Sequence, residues 1–321
     1  MGDGAGSGVA ARKQMQSARL LMDAVDIRQR IMDFVGRAST EISPKDADSI
    51  TGLAGILRPG TTVYVAHTPR SSLQDVVRAA LEVQSAGFQA SPHLVARRIP
   101  SEAALREALA SLRRGGVDQA LVLAGDHPDP TGPFRDSLEL LASGWMERAG
   151  FRRLAVAGHP EGLTGIVPDR LLDALRYKQD FARRTGIALH VVTQFGFNPA
   201  GTCDWVRALP ANGIMLPVHV GLAGPTSPTK LLRYALACGV GGSMHMAARN
   251  IKAVTSLVRP ATTPEQLIPQ LVAAGAGREL AQIAQPHFFS LGGAITGARW
   301  IQAVSQGAFH IEPDGSLRLQ A

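Results

Sequence analysis

Residues 90–123, ASPHLVARRIPSEAALREALASLRRGGVDQALVL, contain the repeating unit that decides the fold. The run at 90–96 is short and largely apolar, and QALVL at 119–123 is a second such run. Between them, Ser101 precedes EAALREALASLRRGG, in which apolar residues recur at helical spacing and two glycines end the pattern. Buried apolar strands joined by a helix pair in parallel, so this stretch predicts a strand–helix–strand unit of a parallel sheet.

The same unit recurs along most of the chain. Further short apolar or β-branched runs lie at 39–43, 62–66, 154–157, 188–193, 214–220 and 287–291. Further helical segments follow a cap residue or a proline at 73–87, 134–150, 169–186 and 229–239. Eight strands alternating with helices over about 280 residues favour a (βα)8 barrel. An open doubly wound sheet is disfavoured because the sequence has no GxGxxG and no GxxxxGK[ST] loop.

We therefore predict an α/β protein, a (βα)8 TIM-type barrel with an extra N-terminal helix and a short C-terminal extension. The extra helix is predicted over 18–35, where apolar residues recur at helical spacing. The predicted division is a disordered tail at 1–12, the barrel at 13–307 and the extension at 308–321. In the extension, Pro313-Asp314-Gly315 predicts the turn of a hairpin.

Composition excludes several classes of protein. The 321 residues are 45% hydrophobic and 18% charged, with a net charge of +7, which is typical of a globular chain rather than a disordered one. Two cysteines cannot form a disulfide framework, and no apolar run is long enough to span a membrane. The first residues also lack the apolar core of a secretory signal. We expect a cytoplasmic protein with reduced thiols.

The positive charge has several explanations. Arginine pairs are scattered at 97–98, 113–114, 152–153 and 183–184, and aromatic residues are only 5% of the chain. Nucleic-acid binders concentrate basic residues beside aromatic ones, so we expect no nucleic-acid partner. An anionic small substrate and a solvated basic surface both stay open. Apolar helices on the outside of a barrel are compatible with a homo-oligomer, and the sequence leaves the oligomeric state open.

Polar residues follow or end most of the predicted strands, where a barrel places its active site. Glu41 is either a general acid with a raised pKa in a poorly solvated pocket or an exposed residue of an edge strand. Asp126, after Gly125, approaches a ligand or caps a helix. The Gln194 amide suits the edge of a heterocycle, or makes a structural hydrogen bond.

Histidines are frequent at the same strand ends. His67, His93, His159 and His219 would converge at the mouth of a barrel, but neither HxH nor HExxH spacing is present, and we predict no metal. Residues 241–249, GGSMHMAAR, are interpreted either as a mobile loop over the pocket or as ordinary loop packing.

Taken in order, these strand ends resemble the methylenetetrahydrofolate reductase family, the flavin-dependent barrels of one-carbon metabolism. The resemblance rests on seven phrases in the family's order: TEISPK at 40–45, SPHL at 91–94, LAGD at 123–126, GHPEG at 158–162, VTQFGFN at 192–198, HVGLAG at 219–224 and HFFSL at 287–291. Each phrase is weak by itself, and together they span residues 38–293 in register with the eight predicted strands.

The resemblance implies a reaction and a set of roles. Glu41 matches the acid that protonates the bridging nitrogen of the folate and opens the methylene bridge to an iminium. Asp126 matches a carboxylate near the pterin and the flavin, and Gln194 matches an amide that binds the pterin. Hydride then passes from NADH or NADPH to FAD and from FAD to the iminium. Implied cofactor-binding residues are His67, His93, Gly125, Asp126, His159, Glu161, Asp169 and Lys178, and implied folate-binding residues are Gln194, Phe195, His219 and Ser290.

Three positions depart from the family pattern. Ala124 stands where an arginine is usual, His159 where a tyrosine is usual, and Leu163 where a histidine is common. All three concern the flavin side, so a flavin-independent reductase with direct hydride transfer from the nicotinamide is one alternative. A pterin-binding methyltransferase on the same type of barrel, without hydride transfer, is another.

Overall fold

The computed structural model describes residues 26–196, 198–227, 229–231, 234, 263–275 and 280–320. Eight parallel strands close a barrel in the order β1 to β8, with β8 paired back to β1. Their bounds are β1 Ser39–Ile42, β2 Thr62–Val65, β3 Gln89–Val95, β4 Gln119–Leu123, β5 Arg153–Gly158, β6 Ala188–Thr193, β7 Val218–Ala223 and β8 Ile283–Phe289. The predicted TIM-type barrel is therefore confirmed.

Helices follow the strands and cover the outside of the barrel. They are α1 at 26–35, α2 Ile50–Ala54, α3 Leu73–Ser85, α4 Glu102–Arg114, α5 Ser137–Ala142, α6 Trp145–Arg148, α7 Pro168–Thr185, α8 Pro199–Ala211, α9 Pro264–Gly275 and α10 Ala294–Ser305, with 3-10 helices at Pro44–Ser49 and Ala96–Arg98. One large apolar core lies between strands and helices. In the described part of the chain, none of the helices has the length and apolarity needed to cross a membrane.

Side-chain caps set where the helices begin. Ser72 accepts a hydrogen bond from the Asp75 N–H at the start of α3, and Ser101 accepts one from the Ala104 N–H at the start of α4. Such caps satisfy N–H groups that have no partner within the helix. At the other end of α7, Gly186 has φ 72°, a left-handed conformation that glycine adopts without strain. The helices predicted around these signals start within a residue of their predicted positions.

The N-terminal helix and the C-terminal extension meet. The Arg28 guanidinium in α1 donates to the Phe309 carbonyl at 2.6 Å and also to the Gly307 carbonyl. Phe309 begins a two-stranded antiparallel hairpin formed by β9 (Phe309–Ile311) and β10 (Leu317–Leu319), as the Pro-Asp-Gly turn predicts. Ile31 and Phe309 are both fully buried, so the two ends of the described chain stabilise one another.

Several predicted bounds are wrong. The single helix expected over 134–150 is two short helices, because Gly144 between α5 and α6 has φ 72° and breaks the helical path. β7 starts only at Val218, since Pro217 cannot donate a ladder hydrogen bond. β8 starts four residues before its predicted run. Helices α2, α8, α9 and α10 match no predicted segment. Helix α8 opens on Pro-Ala-Gly, and its pattern is correspondingly weak.

Some predictions concern residues outside the described part of the chain. These are the tail at 1–12, the first half of the helix at 18–35, most of the helix at 229–239 and the segment 241–249.

Candidate active site

The inside of the barrel has an apolar sector and a polar sector. Inward-facing Tyr64, Leu121, Ala155 and Val192 form a small cluster that is separate from the main core. The polar sector is built by residues that alternate with core residues along β1, β3, β6, β7 and β8. Its members are Ser39, Glu41, Ser91, His93, His190, His219 and His287. A strand of a closed barrel has an inner face and an outer face, which produces this alternation.

Glu41 lies on the inner face. It pairs with Tyr64 in the register of β1 and β2, and residues in register on neighbouring strands share a face of the sheet. The Glu41 side chain is 14% exposed, and its Oε2 atom lies 4.0 Å from Nε2 of His93 and 4.0 Å from Nε2 of His287. Burial, followed by the negative charge of Asp46, raises the pKa of Glu41 to about 8. The carboxyl group therefore keeps its proton at neutral pH.

The two imidazoles beside Glu41 are uncharged at neutral pH. Burial, with a smaller contribution from His67, lowers the pKa of His93 to about 3. Burial likewise lowers the pKa of His287 well below its usual value. The site therefore holds a neutral acid between neutral rings rather than an ion pair, which suits a group that must release a proton.

Hydrogen bonds and ring contacts also fix the other side chains around the polar sector. Nδ1 of His287 is 3.0 Å from the Ser39 hydroxyl, and the Tyr64 hydroxyl is 2.9 Å from Nε2 of His190. The His190 and His219 rings stack at a centroid distance of 4.0 Å. His219, an implied folate-binding residue, thus lies inside the barrel, where burial lowers its pKa to about 4.

A second polar group joins the ends of β2, β3 and β4. The Arg98 guanidinium donates to the Asp126 carboxylate at 2.7 Å, and the two side chains are 12% and 64% exposed. Burial opposes ionisation of Asp126, but the hydrogen bond from Arg98 and the other favourable contacts lower its pKa. Burial and then the charge of Arg98 lower the pKa of His67 to about 4. His67 also contributes to lowering the pKa of His93, the histidine beside Glu41.

Gly125 has a backbone reason to be glycine. Its φ is +97°, and a Cβ atom there would collide with Cγ1 of Val95 on β3. The chain therefore packs tightly against β3 immediately before Asp126, which brings that carboxylate within reach of Arg98.

A cavity of about 200 Å³ opens at the end of β5, between α7 and α8. Its lining includes His159, Lys178 and Trp205. Lys178 is 6% exposed, and burial lowers its pKa to about 8, with Asp136 partly opposing the shift. Burial and then the charge of Lys178 lower the pKa of His159 to about 4. A buried ammonium beside a cavity attracts an anionic group.

The remaining predicted residues occupy different settings. Glu161 accepts a hydrogen bond from the Asn198 N–H at 3.1 Å and thus joins two loops. Asp169 is exposed in the first turn of α7. Gln194 is half-buried directly after β6. Phe195 packs edge-on against Phe289 in a buried cluster.

Ser290 is buried directly after β8, and its carbonyl accepts a hydrogen bond from the Gly293 N–H at 2.8 Å.

The structure thus brings Glu41 and His93 into one group, joins Asp126 to His67 through Arg98, and places His159 and Lys178 together at a separate cavity. The sequence did not single out Ser39, Tyr64, Ser91, Arg98, His190 and His287 as members of the site. A signal existed for all of them except Arg98, because each of the other five is a polar residue at an inward position of a predicted strand. Among the described residues, no group of three or more histidine, cysteine, aspartate or glutamate side chains is arranged to hold a metal ion.

No model of a known protein family matches this sequence. Solved barrels resemble the structure at low identity. Dihydropteroate synthase from Thermus thermophilus is 14% identical, with 84% of this chain and 93% of that chain covered at a TM-score of 0.44. An uncharacterised protein from Clostridium thermocellum that binds two copies of 5-methyl-5,6,7,8-tetrahydrofolic acid is 11% identical, with 87% and 97% covered at a TM-score of 0.47.

A mutant tryptophan synthase alpha subunit from Pyrococcus furiosus is 12% identical, with 85% of this chain and 97% of that chain covered at a TM-score of 0.47. At these identities, the likeness concerns the barrel alone.

Proposed function

We propose that the chain reduces methylenetetrahydrofolate to methyltetrahydrofolate with hydride from NADH or NADPH, and that Glu41 is the proton donor. The observation that carries the proposal is the Glu41 carboxyl, which faces the inside of the barrel, is 14% exposed and has a pKa of about 8. An acid whose pKa lies near the working pH is both protonated and able to release its proton. The family resemblance of the strand ends supplies the substrate class.

The chemistry needs that proton before the hydride. The methylene bridge between two nitrogens is a poor hydride acceptor. Protonation of the bridging nitrogen by Glu41 lets its bond to the methylene carbon break, and the electron pair of that bond stays on the nitrogen. The other nitrogen forms a double bond to the carbon, which gives an iminium and leaves Glu41 as a carboxylate. Hydride then adds to the iminium carbon and produces the methyl group. Glu41 recovers a proton from solvent for the next turnover.

Asp126 supplies a negative charge in the proposed reaction. Because its pKa is lowered, this carboxylate is ionised at neutral pH, and a fixed negative charge near the folate favours the developing iminium cation. The bond from Arg98 holds the carboxylate in one orientation. Gln194, half-buried directly after β6, is proposed to bind the pterin.

The residues at the end of β5 fit part of a dinucleotide cofactor. Buried Lys178 and the cavity beside His159 suit a diphosphate, which FAD and NAD(P)H share. The cavity of about 200 Å³ is smaller than the roughly 300–1,000 Å³ of most ligand sites, so it holds only a fragment of either molecule. We propose FAD, with Lys178 and His159 toward its diphosphate; when bound, FAD supplies hydride transfer. Ala124, without the usual arginine, keeps the flavin-independent reductase as the second candidate.

The test is turnover by the purified chain. Methylenetetrahydrofolate and NADH or NADPH should yield methyltetrahydrofolate, and Glu41→Gln should lower the rate by about 10²–10⁴-fold, the usual contribution of a general acid. Glu102→Gln, an exposed substitution in α4, is the matched control and should retain full activity. A Glu41→Gln variant as active as the wild type would refute the acid assignment.

The absorbance spectrum separates the candidates. Yellow protein that is bleached by NADH or NADPH indicates the flavoprotein, and colourless protein with turnover indicates the flavin-independent reductase. Folate binding without any hydride transfer indicates the pterin-binding methyltransferase and contradicts both forms of the proposal.

A further inference from the structure

Two buried nitrogen atoms converge on a single oxygen of Glu41. Nε2 of His93 and Nε2 of His287 each lie 4.0 Å from Oε2 of Glu41. His93 is 8% exposed and His287 is fully buried. Within the described part of the chain, neither Nε2 atom has a hydrogen-bond partner. A buried polar atom without a partner is rare in folded proteins, and two that face one carboxyl group indicate a common role.

Contacts with Ser39 and Tyr64 hold the His287 and His93 rings in place. The Ser39 hydroxyl is 3.0 Å from Nδ1 of His287, so the ring's second nitrogen is directed toward Glu41. The Tyr64 ring meets His287 edge-on at 4.6 Å and His93 at 6.1 Å. Tyr64 is itself fixed by the hydrogen bond of its hydroxyl to His190. A displacement of about 1 Å brings either Nε2 atom within hydrogen-bond distance of Glu41.

We propose that His287, oriented by Ser39, and His93 are positioning residues that hold the Glu41 carboxyl in both its protonated and its ionised form. This inference rests on the proposed function only for its use in catalysis. It concerns the local setting of one carboxyl group and applies whatever substrate the barrel takes.

Neutral histidine is suited to this task for a chemical reason. A neutral imidazole carries one N–H donor and one acceptor nitrogen, and which nitrogen is which depends on the tautomer. Nε2 of His287 can therefore accept from the carboxylic acid or donate to the carboxylate. The Ser39 hydroxyl can likewise donate or accept at Nδ1. A lysine or arginine in this position would stabilise only the carboxylate, and a general acid would then lose its proton too early.

Other groups near Glu41 act on its charge as well. Asp46, in the 3-10 helix after β1, opposes ionisation, and its carboxylate is bound by the Ser43 N–H and hydroxyl. His67, at the end of β2, contributes to the lowered pKa of His93. His190 on β6 and His219 on β7 contribute to the lowered pKa of His287. A test must therefore remove the positioning contacts and leave these groups in place.

The experiment is a pH titration of the full chain, labelled with ¹³C at the glutamate carboxyl carbon, without folate or cofactor. The Glu41 signal is assigned by its loss in Glu41→Gln. His287→Phe should move the Glu41 titration upward by about one pH unit, a tenfold change in acid dissociation constant, because a hydrogen bond to the carboxylate is stronger than one to the neutral acid and the carboxylate therefore loses more. His287→Gln, which returns an amide near the position of Nε2, should restore most of the wild-type midpoint.

Ser39→Ala tests the same contact without altering a ring, and it should move the midpoint in the same direction by a smaller amount. Thr40→Val is its matched control, because Thr40 is the next residue of β1 and its hydroxyl contacts the Phe288 carbonyl instead. Wild-type midpoints in both His287→Phe and Ser39→Ala would overturn the proposal. If His287→Phe fails to fold, Ser39→Ala against Thr40→Val decides the question.

The titration also separates this inference from the proposed function. A shifted midpoint in a chain that does not reduce methylenetetrahydrofolate supports the positioning role and contradicts the reductase. Turnover with unshifted midpoints supports the reductase and contradicts the positioning role.

Discussion

The Arg98 guanidinium donates a 2.7 Å hydrogen bond to the Asp126 carboxylate and so joins the 3-10 helix after β3 to the loop after β4. The arginine is nearly buried, whereas the aspartate is largely exposed. The positive charge of Arg98 lowers the pKa of Asp126 and also that of His67. One cation thus lowers the pKa of two groups at the mouth of the barrel, with burial as the larger cause for His67.

Replacing Arg98 should change both groups together. In Arg98→Met, the pKa of Asp126 and the pKa of His67 should each rise by about one unit, because a nearby positive charge stabilises a carboxylate and destabilises a protonated imidazole. Carboxyl and imidazole NMR titrations measure the two values. Arg70→Met, an exposed substitution, is the control. A change in only one of the two groups would contradict the shared role.

The rate of methyl-folate formation should fall at alkaline pH. The acid form of Glu41 is required, and its pKa is about 8, so kcat/KM should be independent of pH below that value and fall about tenfold per pH unit above it. The profile is measured with wild-type enzyme at saturating donor. A rate that rises through pH 8 would mean that the group acts as a base.

Stability should depend on Glu41 in the same pH range. Its pKa is about 8 in the folded chain against an ordinary value of 4.5, so the folded state binds the proton more tightly than the unfolded state does. Its contribution to stability is full below pH 4.5 and is lost as the pH rises through about 8, by up to roughly 5 kcal/mol. The free energy of unfolding of Glu41→Gln minus that of the wild type, from denaturant titrations, should therefore increase from about pH 5 to about pH 8. A constant difference would show that Glu41 is not desolvated.

Gly125→Ala should be more destabilising than a glycine change at a similar φ elsewhere. Gly125 has φ +97° and its Cβ would collide with Val95, whereas Gly116 has φ +83° with open space around the added atom. The loss of unfolding free energy in Gly116→Ala measures the backbone strain alone. The additional loss in Gly125→Ala, about 1–3 kcal/mol, measures the collision with Val95. Thermal and denaturant unfolding measure the difference. Equal losses would mean that the chain before Asp126 moves freely away from β3.

Lys178→Met should separate stability from ligand binding. Burial lowers the pKa of Lys178 from 10.5 to about 8, so a charged ammonium at pH 7 destabilises the fold by up to about 3 kcal/mol. The variant should unfold at equal or higher denaturant concentration and bind NADH, NADPH or FAD at least tenfold more weakly. Arg183→Met, an exposed change near the end of α7, is the control. Loss of stability without loss of binding would assign Lys178 to the core.

The alternation of strands and helices was predictable from local pattern, and the closed barrel follows from eight such units. The same pattern placed Glu41 at a strand but left it either buried or exposed. Barrel closure decided between the two, because β1 is flanked by β2 and β8 and is not an edge strand. Such pairing joins residues far apart in sequence, which no local periodicity encodes.

The partners of the candidate residues were harder to predict. Ser39 and His287 are 248 positions apart, and their contact exists only after closure. Arg98 belongs to a basic pair that looks like surface charge, yet its side chain is 12% exposed. Asp126 was expected to approach a ligand or to cap a helix, and its ion pair with Arg98 depends on Gly125 packing against β3.

The register that seals the barrel, Ser39 opposite His287, is also the register that surrounds the Glu41 carboxyl. During synthesis on the ribosome, Ser39 emerges 248 residues before His287. A nascent chain that stops before β8 lacks His287 and leaves β1 without its β8 partner. The complete surroundings of the Glu41 carboxyl therefore exist only once β8 has paired with β1.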